Sequence, residues 1–347
     1  MTLQQLRSAT VAFLAGFLLS LTLPVGAATL YYDQRPDILD VGPSPQPTLM
    51  SRLTGWLEKS RRNPPPDFSR SVRAYPVLLA QIMAFFPEDE YYFLARDIEY
   101  LYDTARVIFK DDPNMLKRFH LLPLGRRLVR DPMLNDYLAT QGLTKDNLGN
   151  RSVLAIDSCC IGTIPDFLAR NLETQGIDVR GFLVTSSQYP SSKVYERMGA
   201  EGPVLEEQPH YTGTAIGLDW SEEGRFRVRT HEEGANPEIA SSMMERIRDL
   251  HDNDEIRRQF FDLKENMSTV FRYLTNLAPT GHVASAQASK AAQALVRLRG
   301  VHHLPIYDFL DDALNMNRKN YVRIDYERII TLRTLSASMI CQSALTR

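Results

Sequence analysis

Between residues 91 and 185 the chain alternates two kinds of apolar pattern. Four short runs are bounded by polar or turn residues: 91–94 (Tyr-Tyr-Phe-Leu), 119–124, 153–156 (Val-Leu-Ala-Ile) and 178–185. Their length and their β-branched and aromatic content predict buried strands. Between them the apolar positions fall at helical spacing: Ile98, Leu101, Tyr102, Ala105 and Ile108; then Leu134, Tyr137 and Leu138; then Ile164, Phe167, Leu168 and Leu172. A further helical pattern covers 71–86, from Val72 to Phe86. Strands alternating with helices predict an α/β fold of Rossmann-like type with a parallel sheet. In such a sheet the loops after the strands gather along one edge, where ligands bind.

The sequence at those strand ends carries the candidate chemistry. After 153–156 come Asp157, Ser158, Cys159, Cys160, Ile161, Gly162 and Thr163, and then the helix. Thr163 with Asp166 has the spacing of a capping box, and Pro165 suits a first helical turn. A small-residue turn running into a helix start offers free N–H groups and the positive end of the dipole to an anion. After 91–94 stand Arg96 and Asp97; Asp97 serves equally as an N-cap of the next helix or as a ligand. After 119–124 stand Arg126 and Arg127, read either as phosphate-binding guanidiniums or as a solvated helix start. A Ser-rich loop follows the fourth run, at 186–192.

The flanks look different. Arg7 precedes an apolar run over 11–23, and Val25 and Ala27 occupy small-residue cleavage positions. Residues 1–28 therefore read as a signal peptide cleaved near Ala27, or as an N-terminal membrane anchor if uncleaved, which implies an exported, periplasmic or secreted protein. Residues 29–70 are rich in Pro, Asp and Ser and read as an arm or linker. Residues 71–235 read as an α/β phosphate-binding domain, with a small β-hairpin insertion: Ile216, Leu218 and Trp220 alternate, Glu222-Glu223-Gly224 turns, and Phe226 and Val228 return. Residues 236–347 read as a helical C-terminal region. A net charge of −2 gives no reason to expect nucleic acid, and any membrane contact is left to the N-terminal segment.

Three cysteines, Cys159, Cys160 and Cys341, make no disulfide framework. His210 with Tyr211 would line a pocket, and His302 and His303 are further titratable candidates; none has partners at metal-ligand spacing. Neither a Gly-x-Ser-x-Gly elbow nor a Walker loop occurs.

The strand 153–156 with Asp157, and the loop from Ser158 to Thr163, resemble the phosphoribosyltransferase-like α/β family over residues 91–185. In pattern they look more like some poorly characterised bacterial members than like the nucleotide-salvage enzymes. The resemblance implies that Asp157 touches ribose hydroxyls, that backbone N–H groups near Gly162 and Thr163 hold a phosphate, and that Arg96-Asp97 occupies the place of the diphosphate loop. It departs at Ser158, where the family carries a second acid. The expected function is binding of, or transfer from, a phosphorylated sugar or nucleotide, with Asp157 and Asp97 as catalytic groups, Arg96, Ser158, Gly162, Thr163, Arg126 and Arg127 on the phosphate, and Mg²⁺ at Asp157. The alternatives are a non-catalytic ligand- or partner-binding protein that keeps the fold, and a metal-dependent phosphate-ester hydrolase.

Overall fold

The computed structural model describes residues 30–40, 69–87, 90–158, 162–184, 194–196, 210–211, 213–231 and 235–280, with scattered helical positions between 287 and 298. The described chain opens with a two-residue strand, β1 (Leu30–Tyr31). The main sheet is built from β2 (Glu90–Ala95), β3 (Phe119–Pro123), β4 (Val153–Asp157), β5 (Val179–Leu183) and β6 (Val194–Glu196). All its pairings are parallel, in the order β3-β2-β4-β5-β6. The α/β architecture read from the alternating patterns is therefore present.

Alternate residues of each strand face opposite sides, so a sheet covered on both faces needs apolar residues at nearly every position. Tyr91, Phe93, Leu154, Ile156 and Phe182 lie in one core; Tyr92, Leu94, Val153, Ala155 and Val179 lie in the other. The first core is closed by α1 (Ser69–Phe85), α2 (Glu99–Ile108), α7 (Pro237–His251) and α8 (Asp254–Thr280), through residues such as Leu79, Leu101, Met244 and Phe260. The helices after Pro237 thus lie on a face of the sheet. The second core is closed by α4 (Leu134–Thr140), α6 (Thr163–Glu173) and a small sheet. Two single turns, α3 (Pro113–Leu116) and α5 (Lys145–Leu148), complete the described helices of this region.

The small sheet pairs β7 (Ala215–Trp220) with β8 (Phe226–Thr230) as the expected hairpin, and adds β1 on the far side of β8. The expected alternation of Ile216, Leu218 and Trp220 is interrupted: a register shift between Ala215 and Gly217 puts Ala215 and Leu218 in the core, while Trp220 is 58% exposed. A bulge resets which residues face inward. Residues 30–40, expected to belong to an arm, supply β1 and the buried side chains of Tyr32 and Ile38. β6 is a strand that the sequence pattern did not reveal. Residues 1–28, most of 29–70, the Ser-rich loop, the three cysteines, His302 and His303 lie outside the described residues. Among the described residues no helix is long and apolar enough to cross a membrane.

A candidate anion-binding cleft at the carboxyl edge of the sheet

β3 lies on one side of β2 and β4 on the other, so the strand order reverses between β2 and β4. Loops leaving neighbouring strands diverge at such a point and open a crevice. A cleft of about 340 Å³ occupies this position. Arg96 and Asp97 reach it from the end of β2, Arg126 and Arg127 from the end of β3, and Asp157, Ser158, Gly162 and Thr163 from the end of β4. The eight residues expected on catalytic and phosphate-binding grounds therefore share one lining. Ala95, Leu124, Gly125, Ile164 and Thr214 complete it, and none of these was expected in the site from the sequence. Gly125 is required by packing: a Cβ there would stand 2.4 Å from the carbonyl oxygen of Ala215, where β7 crosses the end of β3.

The start of α6 differs from the expected capping box. Gly162 is the N-cap, with φ 65° and ψ 31°, and as glycine it has no side chain to cap the helix. Only glycine adopts this left-handed conformation without strain. Thr163 is the first helical residue and is exposed, while Asp166 pairs with Arg170 at 2.9 Å. Gly162, Thr163 and Ile164 line the cleft, so the start of the helix, where backbone N–H groups lack intrahelical partners, borders it.

Of the two roles open to Asp97, capping is not taken up. Ile98 is the N-cap of α2, and no side chain bonds that turn. The Asp97 carboxylate faces sideways instead. Its Oδ1 lies 2.7 Å from Arg96 Nε and its Oδ2 accepts a 3.3 Å hydrogen bond from Ser158 Oγ. The Ser158 N–H donates to Asp157 Oδ1 at 2.8 Å. Ser158 thereby links the two carboxylates of the cleft. Arg126 and Arg127 are exposed, and neither has an ion-pair partner among the described residues.

No family model matches the chain, and no curated protein matches it.

His210 and Tyr211 do not line the cleft. His210 is 2% exposed and sits behind Asp97, with Nε2 3.4 Å from Asp97 Oδ1 and Nδ1 3.5 Å from Glu99 Oε1. Neither approach is aligned as a hydrogen bond. The ring is stacked on Tyr100, centroids 6.3 Å apart. The reason for the burial is the local backbone: His210 bridges to Ala235, its carbonyl accepts from Asn236, and the Tyr211 N–H is drawn to Glu99 Oε1 at 3.0 Å.

Glu99 is wholly buried and gathers several donors. Tyr32 Oη donates to its Oε2 at 3.1 Å, and so does Arg35 Nε, also at 3.1 Å. Burial alone would raise this carboxyl, but the Arg35 charge, His210 and the Tyr211 N–H outweigh it and hold it below the ordinary value. Arg35 also pairs with Asp103, which is buried with Oδ1 unpartnered among the described residues. Burial pushes Asp103 up to about 7 despite that pair. One guanidinium thus serves two buried carboxylates. Arg35 and Glu99 carried no sequence signal: one sits in a Pro-rich segment, the other reads as an ordinary first-turn acid.

Proposed function

We propose that this cleft binds a phosphorylated sugar or nucleotide. The phosphate lies against the first turn of α6 and the guanidiniums of Arg126 and Arg127, and the hydroxyls lie against Asp157 and Asp97. The observation that carries this reading is the division of one cleft into a cationic side, Arg126 and Arg127, with no ion-pair partners among the described residues, and a carboxylate side. An anion alone would not need two carboxylates, and a neutral sugar would not need the arginines. Guanidinium forks match phosphate oxygens, and ionised carboxylates accept from hydroxyls. The fold is of the phosphoribosyltransferase-like type on this reading, and the reaction would be phosphoribosyl transfer. The acid absent at Ser158 has a neighbour in Asp97, bonded to the Ser158 hydroxyl.

Asp157 and Asp97 are the residues that would share a Mg²⁺ with the ligand's phosphate. Mg²⁺ needs only one or two carboxylates and keeps several waters. Bound there, it would offset phosphate charge.

The N-terminal pattern favours export, and outside the cytoplasm phosphoribosyl diphosphate is not expected to be plentiful. Ser158 in place of the second acid points the same way. Ligand binding without transfer is therefore the second reading. Thermal melting of the mature chain with phosphoribosyl diphosphate, ribose 5-phosphate and nucleotides, each with and without Mg²⁺, tests both. A ligand at 100 times its Kd would stabilise the protein by about 2.7 kcal/mol. The shift should vanish in Asp157→Asn. No shift with any phosphate compound would remove the reading.

A further inference from the structure

Behind the cleft a line of buried groups runs inward from Asp97 to His210, Glu99 and Arg35. Each has a distinct origin: Asp97 from the end of β2, Glu99 from the first turn of α2, His210 from the segment before β7, and Arg35 from the segment after β1. The side chains of His210, Glu99 and Arg35 are 2%, 0% and 4% exposed, so none of them can touch a ligand in the cleft. Asp97, at 18%, can.

We propose that His210 is a positioning residue for Asp97, with Glu99 and Arg35 as its anchor. This role rests on the reading of the cleft as a ligand site. An Asp97 bound only to Arg96 and Ser158 would swing with a half-exposed guanidinium whenever an anionic ligand drew Arg96 away. The ring of His210 gives the carboxylate a second, fixed neighbour. The ring cannot turn freely, because Tyr100 stacks on its face and Glu99 stands at its far nitrogen. Glu99 is itself fixed by Tyr32, Arg35 and the Tyr211 N–H. The titratable and charged groups around the ring are thus Asp97, Glu99 and Tyr100, with Arg35 and Asp103 one step beyond. The contacts at 3.4 and 3.5 Å leave room to tighten when a ligand arrives, as groups in unliganded sites commonly do.

The first test uses the ligand-free full chain. Nitrogen-15 shifts of the His210 ring are recorded for the wild type, Asp97→Asn and Glu99→Gln. Asp97→Asn should move Nε2 more than Nδ1, and Glu99→Gln should do the reverse. Ring signals indifferent to Asp97→Asn would overturn the clamp, whatever the cleft binds. The second test measures calorimetric affinity for ribose 5-phosphate and for pyrophosphate, each with Mg²⁺. His210→Asn should weaken binding about tenfold, the loss of one net hydrogen bond. His210→Gln, whose longer amide reaches further toward Asp97, should recover part of it. Arg126→Ala should weaken binding without moving the His210 signals. Equal affinities for wild type and His210→Asn would overturn the positioning role. A wild-type chain that binds neither probe overturns the cleft reading instead, and the ring signals alone then judge the clamp.

Discussion

The two ends of the main sheet are built from similar side chains and finish in opposite states. At the amino end Glu90, 2% exposed, is met by His120 Nε2 at 2.7 Å and by Arg151, while Tyr92 stacks on His120 with centroids 4.4 Å apart. Acid, imidazole and guanidinium satisfy one another there. At the carboxyl end Asp97 and His210 approach without an aligned bond, and Arg126 and Arg127 have no ion-pair partner among the described residues. The amino end closes fully, whereas the carboxyl end closes only in part, through the Arg96–Asp97 pair and the Ser158 hydroxyl. The carboxyl end keeps polar capacity, and on the proposed reading that capacity is what an incoming ligand uses.

The comparison breaks most readily at the anchor behind the open end. Arg35→Met would leave Glu99 and Asp103 buried with no cation, and removing one partner of a buried pair costs about 3–5 kcal/mol. Urea unfolding should show that loss. A change under about 1 kcal/mol would mean that the line of charges behind the cleft is not what holds that end together.

The pH dependence sharpens the same contrast. Asp103 is raised by burial from 3.8 to about 7. Across that window the unfolded chain releases the proton while the folded chain keeps it, so this group's contribution falls as pH rises. His251 runs the other way: burial lowers it from 6.5 to about 4, against the bond from its Nε2 to the Val72 carbonyl. Between those values the unfolded chain takes up a proton that the folded chain refuses, so its contribution is lost as pH falls. Each slope is about 1.4 kcal/mol per pH unit, with opposite sign. The two therefore nearly cancel between pH 4 and 6.5. Asp103→Asn should make stability climb with pH across this window, and His251→Gln should make it decline. Parallel pH curves for wild type and both variants would remove the assignment.

At the closed end the expected effect is smaller and confined to stability. Glu90→Gln weakens its charge-assisted contacts with His120 and Arg151, at a cost of about 1.5–3 kcal/mol. Ligand affinity should be unchanged, because the two ends share no partner. A loss of binding in Glu90→Gln would couple the ends and undo the contrast.

Much of the open end was legible in the sequence because its residues follow strands directly. A parallel sheet places every strand end on one edge, so Arg96, Asp97, Arg126, Arg127 and Asp157 had to gather once four strands were recognised. The hairpin was legible for its alternation, though not its facing, since a register shift between Ala215 and Gly217 changes which residues point inward. The second layer of the site was not legible. Arg35 and Glu99 are 64 positions apart, and Arg35 follows a strand, β1, that pairs with β8 at the edge of the small sheet. A two-residue strand has no periodicity to read. Asp97 as an N-cap was a sound local inference that tertiary contacts with Ser158 and Arg96 overrode.

The mildest change should be the most informative about the contrast. Arg126→Ala removes an exposed guanidinium, so folding stability should move by no more than about 0.5 kcal/mol. If that arginine is held in reserve for a phosphate, the same substitution removes a charge-assisted bond worth about 1.5–3 kcal/mol in the complex, roughly ten- to a hundredfold in Kd. Arg151→Ala at the other end reverses the pattern: it leaves Glu90 with His120 alone, lowers stability and leaves affinity intact. Melting curves and calorimetry on the two variants give four numbers, and the comparison requires them to cross. Arg126→Ala must cost binding without folding, and Arg151→Ala folding without binding. If both variants lose only stability, the guanidiniums at the carboxyl edge are surface charges and the cleft has no claim on a phosphate.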